Sequence, residues 1–214
     1  MFLEFEELLI DFLFQNFKLF NDIKVFLYLF YHSMTNLVND VNTYADEEKN
    51  YINVVVDIPT GSHNKYEYDH ELGCFKLDRV IHHSMFYPCE YGFIPQTLCG
   101  DGDPLDVCLY TTDPTFTGCV IKARPIGILY TADQDGDDPK IIAVPISKVD
   151  PRRDEVETID DLGHHKKEEL SILFKEIKHL EKAKYDKVVC NGFGSVEDAI
   201  AEIKASRERF LEKK

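Results

Sequence analysis

The chain has 214 residues, with 24 Lys and Arg against 39 Asp and Glu, which gives a formal net charge of −15. This length suits one domain with an appendage and is enough to bury a full hydrophobic core. The acidic balance argues against a nucleic-acid binder, which needs a basic surface. It would also repel any anionic small molecule, unless bound cations reverse the sign of the charge locally.

The cysteines favour a reduced, cytoplasmic setting. None of the six forms a Cys-x-x-Cys pair, so a zinc framework is not expected, and several lie in apolar runs where a free thiol acts as a small hydrophobe. No run reaches the roughly 18 apolar residues of a membrane span, which predicts no stable membrane insertion.

Residues 1–34 differ in composition from the rest of the chain. They hold eight of the 15 Phe, yet they begin with several acidic residues and contain no Arg. Secretory signals begin basic, and organellar transit peptides are rich in Arg, so neither pattern matches. Three interpretations stay open: an amphipathic appendage, an unusual targeting leader, or upstream sequence outside the working protein, with Met34 as the start.

Residues 35–50 are polar and predict a linker, and residues 51–214 form the predicted domain. Short β-like runs follow one another, punctuated by Gly and Pro, with a bulge expected at Pro125 and Gly127. The predicted strands cover 53–58, 65–68, 74–81, 107–111, 120–130 and 141–146.

The remainder predicts two helices. Apolar residues recur at i, i+3 and i+4 across 161–182, and Ser195 is a plausible cap for a helix running to about residue 212. Many short strands followed by two helices predict an α+β fold, mainly β, built on a small barrel or a sandwich.

An acidic stretch stands at the centre of the chain. Asp101, Asp103 and Asp106 lie within six positions, and Gly102 and Pro104 make the stretch a turn. Three carboxylates so close together repel one another, unless a cation lies among them. A hard divalent cation with oxygen ligands, above all Mg²⁺, fits this pattern, although a solvated acidic loop is the simpler alternative.

A second acidic stretch, residues 133–138, follows a predicted strand. It partly resembles a Ca²⁺-binding loop, but its twelfth position is Val144, where an EF-hand needs Glu. Its flanking segments are also predicted strands rather than helices. We therefore discount an EF-hand and expect Asp135 and Asp137 to be solvated.

Several short motifs follow one another in a fixed order, which is more specific than any one of them. They are Lys65-Tyr66-Glu67, Asp78-Arg79, Phe86-Tyr87-Pro88-Cys89-Glu90-Tyr91-Gly92, Asp101-Gly102-Asp103-Pro104-Leu105-Asp106-Val107, Arg124-Pro125-Ile126-Gly127, the stretch from Asp133 to Lys140, and Ala143-Val144-Pro145. From about residue 51 to the C-terminus, this ordered set resembles the family I soluble inorganic pyrophosphatases.

The resemblance implies an OB-like five-stranded barrel with two C-terminal helices packed on it, Mg²⁺-dependent hydrolysis of pyrophosphate, and a homo-oligomer, either a hexamer or a dimer. It also implies the metal ligands. Asp101, Asp106 and Asp138 would hold a first ion, and Asp106 would reach a second. Asp133 and Asp138 would serve a third, and Glu67 a further one.

The remaining roles also follow from the resemblance. Asp103 is the implied general base that activates water. Lys65, Arg79 and Tyr91 are implied to take part in catalysis. The implied substrate-binding residues are Lys65, Arg79, Tyr91, Lys140 and Lys178.

Two positions depart from the family pattern. Asp57 stands where the family usually has Glu, and Ile177 stands where it usually has Tyr before Lys178. These departures leave open a non-catalytic member that binds metal and phosphate. A phosphatase with an aspartyl nucleophile at Asp101 is a third alternative, although the surrounding lysines, tyrosines and strand order do not match such a fold.

Overall fold

The chain divides into two units, residues 1–35 and residues 36–214. The computed structural model describes residues 35–69, 72–133, 136–181 and 188–213. The predictions for residues 1–34 therefore lie outside the described residues, and the fold below is that of the second unit.

The described fold has ten strands and two α-helices, with the first helix between β9 and β10 and the second after β10. The strands are β1 (Tyr44–Asp46), β2 (Tyr51–Ile58), β3 (Asn64–Asp69), β4 (Cys74–Val80), β5 (Glu90–Phe93), β6 (Asp106–Leu109), β7 (Val120–Asp133), β8 (Gly136–Asp137), β9 (Lys140–Pro145) and β10 (Val189–Gly194). The helices are α1 (His164–Glu176) and α2 (Val196–Lys213), and short 3₁₀ turns cover Pro151–Arg153 and Ile159–Leu162.

Five strands close into a barrel. The order is β2, β5, β6, β9 and β7, and the pairing of β2 with β7 completes the ring. All neighbours in the ring are antiparallel except β6 and β9, which are parallel. Closure leaves no free sheet edge within the ring. The predicted five-stranded barrel with two helices is thus confirmed.

Apolar residues explain where the core forms. Every residue of β9 is buried, and β2 alternates at its start before becoming buried on both faces. Helix α1 packs Leu170, Leu173 and Phe174 against the barrel, and α2 packs Ala199 and Ile203. The expected bulge is confirmed, because the β7–β9 register shifts between Pro125 and Gly127.

The helix boundaries refine the prediction. The first helix is shorter than the predicted range 161–182, because Gly163, with a φ of 80°, separates it from the 3₁₀ turn before it. Ile177 ends it, and turns carry the chain on to Glu181. The second helix begins with a reciprocal cap: Asp198 N donates to Ser195 Oγ, and Ser195 N donates to an Asp198 carboxylate oxygen.

The predicted linker is folded from Asn36 onward, which corrects the linker assignment. Strand β1 pairs with β2, and Val38 and Thr43 are buried. The Thr43 hydroxyl donates to the carbonyl of Pro95 at 2.9 Å. Polar composition indicated a linker here, but these hydrogen bonds satisfy the polar groups within the fold.

Gly92 makes the close pairing of β5 with β2 possible. A Cβ at this position would lie 1.9 Å from the carbonyl oxygen of Val55. We expect Gly92→Ala to lower the free energy of unfolding by about 3 kcal/mol or more, because the barrel backbone cannot give way. Urea unfolding followed by circular dichroism measures this.

Gly100→Ala is the matched control, since a Cβ at Gly100 would meet nothing within 4 Å. It should change the stability by less than about 0.5 kcal/mol. Equal stabilities for the two variants would contradict the close-approach explanation.

Candidate active site

A cavity of about 400 Å³ gathers side chains from β2 to β6, β9, the 101–104 loop and the end of α1. Every site residue predicted from the sequence lines it, except Asp133. That residue ends β7, and its side chain lies outside the described residues. The predicted residues in the lining are Lys65, Glu67, Arg79, Tyr91, Asp101, Asp103, Asp106, Asp138, Lys140 and Lys178.

Lys140 lies between two of the predicted metal ligands. The parallel pairing of β6 and β9 places Asp106 opposite Lys140. The Lys140 ammonium donates to Asp106 Oδ2 at 2.5 Å and to Asp138 Oδ1, and its side chain is only 4% exposed. Burial alone would lower the pKa of Lys140, but the two carboxylates outweigh it and raise that pKa.

Asp138 is the acidic partner most affected by burial. Burial raises its pKa to about 6, although Lys140 acts in the opposite direction and Asp106 adds to the rise. A carboxyl group with this pKa titrates close to neutral pH. A further cation in the cavity would therefore shift Asp138 towards its ionised form.

Tyr91 holds the same carboxylate oxygen of Asp106 that accepts from Lys140. Its hydroxyl donates to Asp106 Oδ2, and its ring packs 4.9 Å from the ring of Tyr87. Burial raises the pKa of both phenols, so they stay protonated and remain hydrogen-bond donors.

The acidic turn is exposed but anchored. Asp103 N donates to Asp101 Oδ1 at 3.1 Å, and the carbonyl of Asp103 accepts from Cys99 N at 2.8 Å. Gly102 has a φ of 96°, which lets the turn bring both carboxylates to the cavity. Behind it, the Thr97 hydroxyl accepts from Leu105 N at 2.9 Å.

The cationic groups come from the β3–β4 hairpin and the end of α1. Lys65 lies opposite Arg79 in the hairpin, so the two side chains share one face. Lys65 Nζ lies 2.5 Å from Glu67 Oε1. Ile177 and Lys178 also line the cavity.

Two carboxylates in the cavity stand outside the predicted site residues: Asp57, noted from the sequence only as a departure from the family pattern, and Glu181, which sequence reasoning missed. Asp57 is almost completely buried, and burial, followed by Asp106, raises its pKa well above the usual range. Its Oδ1 has no hydrogen-bond partner among the described residues. Glu181 also lines the cavity, from the turn after α1, where no local sequence pattern indicates its place.

Two adjacent histidine pairs, His82–His83 and His164–His165, are absent from the cavity lining in the described part of the chain. Asp137 is exposed, as predicted, while Asp135 lies outside the described residues.

The cavity holds more negative than positive groups. Of the residues that the structure describes, seven carboxyl groups line it against four basic groups. Among the described residues, no three acidic, His or Cys side chains already meet in a metal-binding arrangement. The carboxylate excess and the unpartnered Asp57 oxygen nevertheless suit hard divalent cations, which take oxygen ligands.

Comparison with known proteins identifies the family of this chain. A family model described as inorganic pyrophosphatase matches residues 54–211. The chain belongs to the inorganic pyrophosphatase family. No helix in the described ranges has the length and apolar character to cross a bilayer.

Individual pyrophosphatases cover most of the second unit. The inorganic pyrophosphatase of Geobacillus stearothermophilus is 51% identical over 134 residues, which are 63% of this chain and 80% of that protein. The one from Sulfolobus acidocaldarius is 48% identical over 158 residues, which are 74% of this chain and 90% of that protein.

A solved structure of a pyrophosphatase has the same fold. The inorganic pyrophosphatase of Thermus thermophilus superposes with a TM-score of 0.77 at 37% identity. The match covers 83% of this chain and 99% of that structure. The pyrophosphatase fold is therefore shared along nearly the whole length of this neighbour.

The raised pKa of Asp138 predicts a pH dependence for the metal-free protein. Between pH 3.8 and about 6, the folded state keeps a proton that the unfolded state has lost. The stability from protonated Asp138 is therefore present at low pH and is lost as the pH rises through about 6. Asp138→Asn cannot ionise, so it should gain stability relative to the wild type across this window, and the difference should level off above it.

Urea midpoints measured with a chelator present, at a series of pH values across this window, test this expectation. Asp137→Asn, at the exposed neighbouring position, is the control and should follow the wild type. If the stability of Asp138→Asn runs parallel to that of the wild type at every pH, the assignment is wrong.

Proposed function

We propose that this chain hydrolyses inorganic pyrophosphate to two phosphates in an Mg²⁺-dependent reaction. The observation that carries the proposal is the single cavity in which carboxylates for metal ions face fixed cations for phosphate groups. Membership of the inorganic pyrophosphatase family supports the substrate.

The carboxylates suit Mg²⁺ by their chemistry. Asp101, Asp106 and Asp138 would hold a first ion, and Asp133 and Glu67 would serve further ions. When bound, Mg²⁺ lowers the pKa of water and neutralises phosphoryl oxygens. The unpartnered oxygen of Asp57 offers one more acceptor, directly or through water.

Asp103 is the proposed general base. Its position on the exposed turn beside Asp101 gives it access to water. It takes a proton as the water oxygen forms a bond to one phosphorus atom. The bond from that phosphorus to the bridging oxygen then breaks, and the bridging oxygen leaves with the second phosphate.

The basic groups hold the two phosphates. Arg79 suits paired hydrogen bonds to phosphate oxygens, and Lys65 and Lys178 act as point charges. Lys140 is held by Asp106 and Asp138, so it places one fixed positive charge at the centre of the site. Tyr91 keeps Asp106 in orientation through its hydroxyl.

Phosphate release from pyrophosphate with Mg²⁺ tests the proposal. We expect Asp103→Asn to lower kcat by about a hundredfold or more, since the amide cannot accept the proton from water. Asp113→Asn, an exposed acidic position outside the cavity, should keep wild-type activity.

A folded wild-type protein that binds Mg²⁺ but releases no phosphate would overturn the enzymatic proposal in favour of a binding role. A trapped phosphoenzyme would instead favour an aspartyl nucleophile.

Assembly into a homo-oligomer is also part of the proposal. Leu77, Val80 and Phe86 are each about half exposed around the β3–β4 hairpin, and a second copy would cover them. Light scattering with size-exclusion chromatography decides this, and a monomer at micromolar concentration would contradict it. A cytoplasmic location and the absence of nucleic-acid binding stay predictions.

A further inference from the structure

One cavity carboxylate has no role in the proposed reaction. Glu181 lies in the turn after α1, and its side chain is only 12% exposed. Its Oε1 accepts a hydrogen bond of 3.0 Å from Nε of Arg79, which lies on β4, 102 positions earlier in the chain. This contact joins the end of α1 to the β3–β4 hairpin across the cavity.

Glu181 accepts from the Nε of Arg79 and not from its terminal nitrogens. A guanidinium has five N–H groups in a rigid, planar arrangement. Glu181 takes the one on Nε, and Asp78 takes one on Nη1. The other terminal N–H groups are not engaged in the contacts of the described residues, and they form the end that pairs best with phosphate oxygens.

Placing the Glu181 carboxylate in this cavity costs free energy, so a compensating role for it is expected. A nearly buried carboxylate loses hydration, and beside a phosphate site it also repels the substrate. Arg79 provides that compensation. Its long side chain would lose rotational freedom on binding a phosphate group, unless Glu181 already holds it in place. Burial alone would lower the pKa of Arg79, but Glu181 and Asp78 outweigh it and raise that pKa, so the guanidinium stays charged.

We propose that Glu181 is a positioning residue, which holds Arg79 by Nε so that its terminal N–H groups are set in advance for a phosphate group of the substrate. The role rests on the proposed function, because it assumes that a diphosphate enters this cavity. Glu181 acts through Arg79 and needs no contact with the substrate.

Calorimetric binding of methylenediphosphonate with Mg²⁺ tests the role without turnover. Glu181→Ala removes both the charge and the acceptor, and we expect about tenfold weaker binding. Glu181→Gln keeps an acceptor oxygen for Nε and should stay within about threefold of the wild type. Glu176→Gln, in a more exposed pair with His179 near the end of α1, is the matched control and should bind like the wild type.

Arg79→Ala makes the experiment decisive. If Glu181 acts through Arg79, adding Glu181→Ala to Arg79→Ala should weaken binding no further. In hydrolysis assays, Glu181→Ala should raise KM by about tenfold and lower kcat much less, because it disturbs a binding group rather than the base. Thermal melting of each variant reports any loss of folding.

The outcomes separate this role from the proposed function. Unchanged binding in Glu181→Ala, or an equal loss in the Arg79→Ala background, overturns the positioning role while hydrolysis by the wild type still stands. Absence of hydrolysis by the wild type overturns the proposed function. The methylenediphosphonate binding measurements would then still decide whether Glu181 holds the Arg79 side chain in position.

Discussion

The ion pairs of Lys140 with Asp106 and Asp138 are the interaction on which the site depends. A buried ammonium is costly, and only well-placed carboxylates offset its lost hydration. The barrel supplies that placement, because Lys140 begins β9 directly opposite Asp106 in the parallel neighbour β6. The Lys140 ammonium also lies 6.0 Å from the centre of the Tyr91 ring and 5.9 Å from that of Phe174. Loss of one carboxylate would leave a buried charge short of a partner.

This arrangement also explains how an acidic protein can take an anionic substrate. The chain carries a net charge of −15, and carboxyl groups outnumber basic groups in the cavity itself. Added divalent cations would reverse the local sign, since they are the largest charges in such a site. In the proposed function, the fixed basic groups would then select for phosphate oxygens. The same carboxylates would thus serve both metal binding and, indirectly, substrate binding.

The sequence allowed prediction of the barrel, both helices and most of the cavity, because those depend on local pattern and ordered motifs. Asp101, Asp103 and Asp106 stand close together in the chain, and turn geometry alone brings them to one place. Glu181 could not be predicted in the same way, because its partner Arg79 is far away in sequence and only the packing of α1 brings them together. Polar composition misled at residues 36–50, where long-range hydrogen bonds and β1 build a folded segment.

The proposed function requires the excess of carboxylates in the cavity to bind Mg²⁺. Calorimetric titration of the wild type with Mg²⁺ at pH 6, in two buffers of different ionisation enthalpy, measures this binding and the protons that accompany it. Because the pKa of Asp138 is about 6, we expect binding that releases protons to the buffer, and much weaker binding in Asp106→Asn. Failure to bind Mg²⁺, or equal binding by Asp106→Asn, would rule out this role for the carboxylates.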